Sequence, residues 1–137
     1  MLTIIKAHLR SKGLNEVYEG GISSFTLTLM VVSYLQHCEE ESCFLSVHLI
    51  RFLRIFGEKF DYHAFGISIR AGGFYFLRED KDRSFDDGFL CVENPLDPEI
   101  NIGCQTREFR LIKEEWGNAS MKFQIDYKAL PTESLLA

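Results

Sequence analysis

The chain predicts a mainly α fold: a helical core domain that carries one small β-hairpin. Apolar residues recur at helical spacing over residues 2–11, 24–37 and 43–56. Two short β-prone runs, Ile67-Ser68-Ile69-Arg70 and Phe74-Tyr75-Phe76-Leu77, flank Ala71-Gly72-Gly73 and read as a hairpin. An apolar content of 46% with twelve Phe in 137 residues supplies enough side-chain volume for a single core, so one domain over residues 1–130 is expected.

The first helix, Leu2 to Ser11, sets Leu2, Ile5 and Leu9 on one stripe and Thr3, Lys6 and Arg10 on another, and Gly13 ends it. The second, Ser24 to His37, is apolar nearly all round, with Met30, Val31 and Val32 at its middle, and should be the buried centre. Glu39-Glu40-Glu41 reads as a solvated break. A third helix from Cys43 to Phe56 aligns Leu45, Leu49, Phe52, Leu53 and Phe56, with Gly57 as its stop. Beyond the hairpin, the charged stretch Arg78 to Asp87 reads as a surface loop and Phe89 to Val92 as a short apolar run. Glu93 to Gly103, with Pro95 and Pro98, reads as an ordered turn segment. A fourth helix is expected from Thr106 to Trp116, with Phe109, Ile112 and Trp116 on one side, and a fifth from Ser120 to Leu130. There is no internal repeat.

Composition narrows the function classes. A formal charge of −5 gives no global basic field, so any phosphate binding must come from a local cluster of cations. The first residues lack a secretory signal, and the apolar run from Ile22 to Leu35 is shorter than a membrane span, so a soluble intracellular protein without membrane partners is expected. The cysteines at 38, 43, 91 and 104 read as reduced thiols. His37, Cys38, Cys43 and His48 imitate a zinc set but lack a C-x₂-C knuckle, and no metal site is assigned. The Asn118-Ala119-Ser120 sequon reads as chance.

The most informative stretch is Gly20-Gly21-Ile22-Ser23-Ser24-Phe25, a flexible di-glycine followed by two hydroxyl residues and an aromatic at a helix start. Such a start offers free N–H groups and hydroxyls to an anion, and the ring offers a surface for a base. Ser23 and Ser24 also read simply as helix caps, and Phe25 as core. Lys6 and Arg10 lie at i,i+4, where like charges cost an isolated helix roughly 0.2–0.5 kcal/mol, and an anion bridging them would reverse that sign. A solvated basic face is the alternative. Together these residues have the makings of a nucleoside-triphosphate pocket, without a catalytic metal site.

Three landmarks in order resemble one family. They are Ile4-Ile5-Lys6 with Gly13-Leu14-Asn15, then Gly20 to Phe25 heading an apolar helix, then the segment Glu93 to Gly103. The order resembles the central, poly(A)-polymerase-associated domain of non-canonical poly(A) polymerases and terminal uridylyltransferases, over nearly the whole chain from Ile4 to Trp116. The resemblance implies the base-recognition half of a two-domain nucleotidyltransferase. Its catalytic carboxylates and magnesium belong to a separate preceding domain that these residues do not include, so none of them is assigned a catalytic role. It also implies that Lys6, Arg10, Ser23 and Ser24 reach the triphosphate and that Phe25 stacks on the base. Asn94, Asp97, Ile100 and Asn101 fall in the nucleotide-recognition segment.

Asn94 stands where the family usually has Asp, Cys104 where many members have Arg, and Ile100 where uridylyltransferases carry a base-reading His. The missing His makes ATP the expected substrate, with UTP as the alternative. The resemblance further implies RNA 3′ ends as acceptor, RNA-binding and helicase partners in surveillance, and a nuclear setting, with the cytoplasm as alternative. A non-catalytic interaction module with a vestigial pocket is the reading from another class.

Overall fold

The computed structural model describes residues 1–16, 20–39, 44–82, 85 and 88–129. Four helices pack around an aromatic core, and two short antiparallel hairpins lie against them. The helices are α1 (Leu2–Ser11), α2 (Ser24–His37), α3 (Leu45–Arg54) and α4 (Phe109–Ala129). The hairpins are β1 (Phe65–Ser68) with β2 (Phe74–Leu77), and β3 (Glu93–Asn94) with β4 (Asp97–Asn101). The mainly α fold with a small hairpin is therefore as the sequence predicts. No described helix is long and apolar enough to cross a membrane.

α1 and α2 fall on their expected bounds because their local signals are strong. Ile5 and Leu9 of the α1 stripe are buried, and Gly13 follows the helix with φ +70°. At α2, Ser23 is the N-cap, its Oγ accepting from Thr26 N at 3.1 Å. α2 is not buried all round: Met30 and Val31 are in the core, Val32 is half-buried, and Leu35 is 55% exposed. An apolar surface of this kind reveals burial potential but not which side a neighbour covers.

Four elements depart from the sequence pattern, the first being β1, which lies at Phe65–Ser68 instead of Ile67–Arg70 because Arg70–Gly72 is taken up in a 3₁₀ turn. The third helix does not stop at Gly57 but passes into a π-helical turn, Ile55–Lys59, in which Phe60 N bonds Ile55 O at 2.8 Å. Gly57 is buried there, and a Cβ on it would lie 2.5 Å from Gly117 N and 2.8 Å from Trp116 C. Its role is backbone approach, not termination. The expected start at Cys43, and the acidic break from 40 onward, lie outside the described residues. The fourth and fifth helices are one, because Gly117 turns its bare face to Gly57 and sits inside α4 without breaking it. The segment Glu93 to Gly103 is a bulged hairpin, pairing Glu93 with Asn101 and Asn94 with Asp97, and not turns alone.

The core forms where α3, the π-turn and α4 meet. Phe52, Phe56, Phe109, Ile112 and Trp116 are fully buried. Phe52 meets Trp116 edge-on at 5.2 Å and Phe56 at 5.0 Å, which adds roughly 0.5–1.5 kcal/mol per pair to the area buried. The Tyr62 hydroxyl donates to Phe56 O at 2.6 Å, and burial raises its pKa well above the ordinary value, with Tyr75 adding to the effect. The β1–β2 hairpin pairs Phe65 with Leu77 and Ser68 with Phe74. Its tip docks on the last turn of α2, where Gln36 Nε2 donates to Ile69 O at 2.9 Å and His37 stacks on Tyr75 at 4.3 Å.

Substituting Gly57 by Ala should destabilise the domain by about 1–3 kcal/mol, since the added methyl meets backbone that cannot rotate away. Thermal melting checks this against Asn118→Ala, an exposed change one residue from the crossing. Equal melting temperatures for the two variants would show that the helices do not approach this closely.

Candidate nucleotide-binding site

The turn between α1 and α2 is shaped by the close approach of backbone at glycine rather than by flexibility. Gly21 N donates to Glu16 O at 2.7 Å and Ile22 N to Leu14 O at 3.0 Å. A Cβ on Gly21 would lie 2.3 Å from Leu14 O, so only glycine lets the two chain segments touch. Gly20 has φ +88°, and its carbonyl accepts from Glu108 N at 2.9 Å. The start of α2 is thereby pinned over α1.

That pinning brings together four of the residues expected to bind phosphate. Lys6, Arg10, Ser23 and Ser24 line one cleft of about 380 Å³, floored by Leu9, Ile22 and Leu27. The two serines differ in what they can offer. The Ser23 hydroxyl is engaged in the cap, donating to Thr26 Oγ1 at 3.0 Å and accepting from Thr26 N. Ser24 is exposed, and its hydroxyl has no partner among the described residues. The N–H groups of Ser24 and Phe25 stand at the helix start, where the helix itself offers no acceptor and its dipole is positive. Two cations and a helix N-terminus therefore face the same space. Asn15, which belongs to the first landmark but carried no assigned role, and Glu16 also line it. They follow directly on Gly13-Leu14, and only the fold of the turn shows that they belong to the cleft.

Phe25 is 44% exposed beside the cleft rather than in its lining. The remaining residues lie on the β3–β4 hairpin, and none of them lines the cleft. Asn94 Oδ1 accepts from Leu96 N at 3.0 Å and Asp97 Oδ1 from Glu99 N at 3.3 Å, so both shape turns while staying near the surface. Ile100 is 48% exposed. Asn101 is only 5% exposed and faces inward: its Oδ1 accepts from Val92 N and Gly103 N, each at 2.9 Å, and its Nδ2 donates to Leu90 O at 3.4 Å. Hairpin and cleft connect through the chain, since β4 runs via a 3₁₀ turn, Ile102–Gln105, to Glu108, which bonds Gly20.

The hairpin hangs from Glu93, whose significance the sequence did not reveal. Glu93 is 1% exposed and takes a bidentate pair from Arg70, through Nε and through Nη2 at 3.1 Å. Ser68 Oγ donates to it at 3.0 Å, and Lys81 Nζ lies 3.4 Å away. Burial by itself would raise the Glu93 pKa. The bonds from Arg70 and Ser68, with the charges of Arg70 and Lys81, outweigh burial and hold it below the ordinary value.

The sequence's imitation zinc set is otherwise engaged. The His37 ring covers Tyr75, His48 Nδ1 lies 2.9 Å from the Tyr34 hydroxyl, and Cys38 Sγ lies 3.8 Å from that nitrogen. Cys43 is outside the described residues. Among the described residues, no three or more His, Cys, Asp and Glu side chains converge as a metal site would require.

Comparison with known proteins bears out the family. A family model described as Cid1 family poly A polymerase matches residues 45–99. The poly(A) RNA polymerase CID14 of Cryptococcus neoformans is 34% identical over 127 residues, covering 87% of this chain and 17% of that protein. The inactive non-canonical poly(A) RNA polymerase protein Trf4-2 of Drosophila melanogaster is 35% identical over 133 residues, covering 89% of this chain and 33% of that protein. The polymerase core of TRAMP, an RNA surveillance complex, superposes with a TM-score of 0.79 at 26% identity, over 88% of this chain and 41% of that one. The fold is thus that of part of a polymerase core. The chain belongs to the non-canonical poly(A) polymerases and corresponds to their central domain. It spans a third or less of the length of the two relatives named.

Because the Glu93 pKa is lowered on folding, its contribution to stability is present above the unfolded carboxyl pKa of about 4.3 and is lost as pH falls through the lower folded value. Breaking a fully buried pair costs about 3–5 kcal/mol, but the Arg70 side chain is 43% exposed, so Glu93→Gln should cost roughly 1–3 kcal/mol at pH 7. The gap between wild type and variant should close as pH falls below about 4. Melting curves that stay parallel down to acid would refute the ion-pair account.

Proposed function

We propose that this chain is the nucleotide-recognition domain of a template-independent RNA 3′-end nucleotidyltransferase that adds AMP. The observation that carries the reading is the cleft in which Lys6, Arg10 and Ser24 face the capped start of α2. The family membership supports it, and so do relatives named as poly(A) RNA polymerases. In this reading the two cations and the helix-start N–H groups hold the triphosphate and neutralise charge that shifts toward the leaving pyrophosphate. Phe25 gives the base a stacking face. The β3–β4 hairpin reads the base through Asn94, Asp97 and Ile100, while Asn101 fixes the hairpin's backbone from inside. Magnesium would be held by carboxylates of a nucleotidyltransferase domain working beside this one, whose extent we place at residues 1–130. The acceptor is an RNA 3′ end, the setting RNA surveillance with its RNA-binding and helicase partners, and the compartment the nucleus.

A second reading rests on one relative's name. The Drosophila protein is called inactive, and it matches this chain at 35% identity. That name supports reading this chain as a non-catalytic interaction module with a vestigial pocket.

Kinetics of the domain joined to its catalytic partner separate these readings. Lys6→Ala with Arg10→Ala should lower kcat/KM for ATP about 10–1000-fold and weaken ATP more than adenosine. Equal loss for both ligands would remove the phosphate role. An aliphatic side chain cannot donate a hydrogen bond to a uracil carbonyl, whereas His can. Single-nucleotide extension of an oligoadenylate primer should therefore favour ATP over UTP, and Ile100→His should shift the preference toward UTP. A wild type that prefers UTP would overturn the adenylyl assignment, and no extension with either triphosphate would favour the inactive reading.

A further inference from the structure

A second cleft lies between the residues after the π-turn and the first turns of α4, and shares no lining residue with the nucleotide cleft. It has two lobes, of about 530 and 420 Å³, joined through His63, Phe89 and Arg110. Each is within the ~300–1,000 Å³ of ordinary small-ligand sites. Phe89 is held from beneath by Tyr62, with ring centroids 5.3 Å apart, and by Phe109 at 6.0 Å. Arg110 extends its guanidinium over the ring, 5.0 Å from the centroid, and His63 stands edge-on at 5.6 Å. Lys113 follows one turn after Arg110 on α4 and lines the larger lobe.

Arg78 fixes the wall. Its guanidinium donates to Tyr62 O at 2.7 Å, Phe89 O at 2.8 Å and Gly88 O at 2.7 Å, locking the backbone that presents the ring. Two carboxylates, Glu58 and Asp61, line the larger lobe, and Asp61 Oδ1 accepts from His63 N at 3.0 Å. Among the described residues the smaller lobe has none. In a chain of net charge −5, Arg78, Arg110 and Lys113 gather here around planar groups and outnumber the two carboxylates.

We propose that this groove binds a segment of single-stranded RNA, separate from the nucleotide cleft. A base lies on the outer face of the Arg110 guanidinium, which Phe89 backs, and the flanking phosphates meet Arg110, Lys113 and His63. Stacking on a guanidinium already seated on an aromatic ring selects a ligand that alternates planar groups with negative charge. An acidic peptide provides the charge alone. The proposal does not depend on the chain's having polymerase activity.

The test is a fluorescence-anisotropy titration of a labelled oligoadenylate with the whole chain over a range of salt. Arg110→Glu with Lys113→Glu should weaken binding by about 10-fold or more and lower the salt slope by about 1.4, at ~0.7 for each phosphate no longer neutralised. Arg110→Lys keeps the charge but loses the plane, so it should weaken binding about 5-fold and leave the slope unchanged. Affinity unchanged in the double variant would overturn the proposal. So would a loss confined to Lys6→Ala with Arg10→Ala, which would place the RNA in the nucleotide cleft and leave the function proposed above standing. Displacement of the oligoadenylate by polyglutamate as efficiently as by unlabelled RNA would also overturn it, in favour of an acidic protein partner.

Discussion

The close crossing of two glycines, Gly57 in the π-turn and Gly117 in α4, is the constraint on which the rest of the domain depends. A Cβ on Gly117 would lie 3.2 Å from Gly57 O, and one on Gly57 would collide with α4 outright, so the two backbones touch with no side chain between them. Interiors pack at crystal-like density, and a separation set by touching backbones fixes where every neighbouring ring must fall. Phe52, Phe56, Phe109 and Trp116 interlock around the crossing, and Tyr62 closes it by bonding Phe56 O. Both clefts take their frame from α4. Glu108, immediately before its first residue, holds Gly20 at the cleft lined by Lys6 and Arg10, and Arg110 reaches Phe89 at the second groove.

Buried polar groups then define the parts that the apolar core leaves unspecified. The β3–β4 hairpin is too short to be stable alone, and only Glu93 and Asn101 of its strand residues are buried. It is anchored at its base by Glu93, which draws Ser68, Arg70 and Lys81 from the neighbouring hairpin and loop, and by Asn101, whose amide ties Leu90, Val92 and Gly103 together. Such anchoring leaves the tip free to present side chains outward. Leu96 is 87% exposed and Ile100 nearly half exposed on an otherwise fixed scaffold. A rigid base with an accessible tip suits a base-reading element, because the residues that touch a ligand need not also hold the fold together.

Electrostatics follow the same division between global and local. The chain is acidic overall, yet its cations gather where the backbone is immobilised, Lys6 and Arg10 beneath a capped helix start and Arg110 and Lys113 beside a locked aromatic. Net charge governs solubility and long-range attraction; local geometry decides whether a phosphate finds two donors at once.

Local signals in the sequence determined α1, α2 and the β1–β2 hairpin, because a cap at Ser23, a stripe through Ile5 and Leu9, and a glycine turn between two β-prone runs act within a few residues. That Lys6, Arg10 and the serine pair belong together was legible only through the family resemblance, since the cations lie on α1 and the serines at the start of α2. Tertiary structure decided the rest, wherever the controlling atom lies far along the chain. Gly57 reads as a helix stop until it is seen against Gly117, sixty residues away. Gly21 reads as flexibility until it meets Leu14. Glu93 reads as part of an ordered turn segment and Asn101 as a nucleotide-recognition residue, and burial beside Arg70, Lys81 and three backbone groups makes them structural anchors. Periodicity and capping report on a residue's immediate neighbours. The close approach of backbones and the pairing of buried charge depend on partners that only the folded chain supplies.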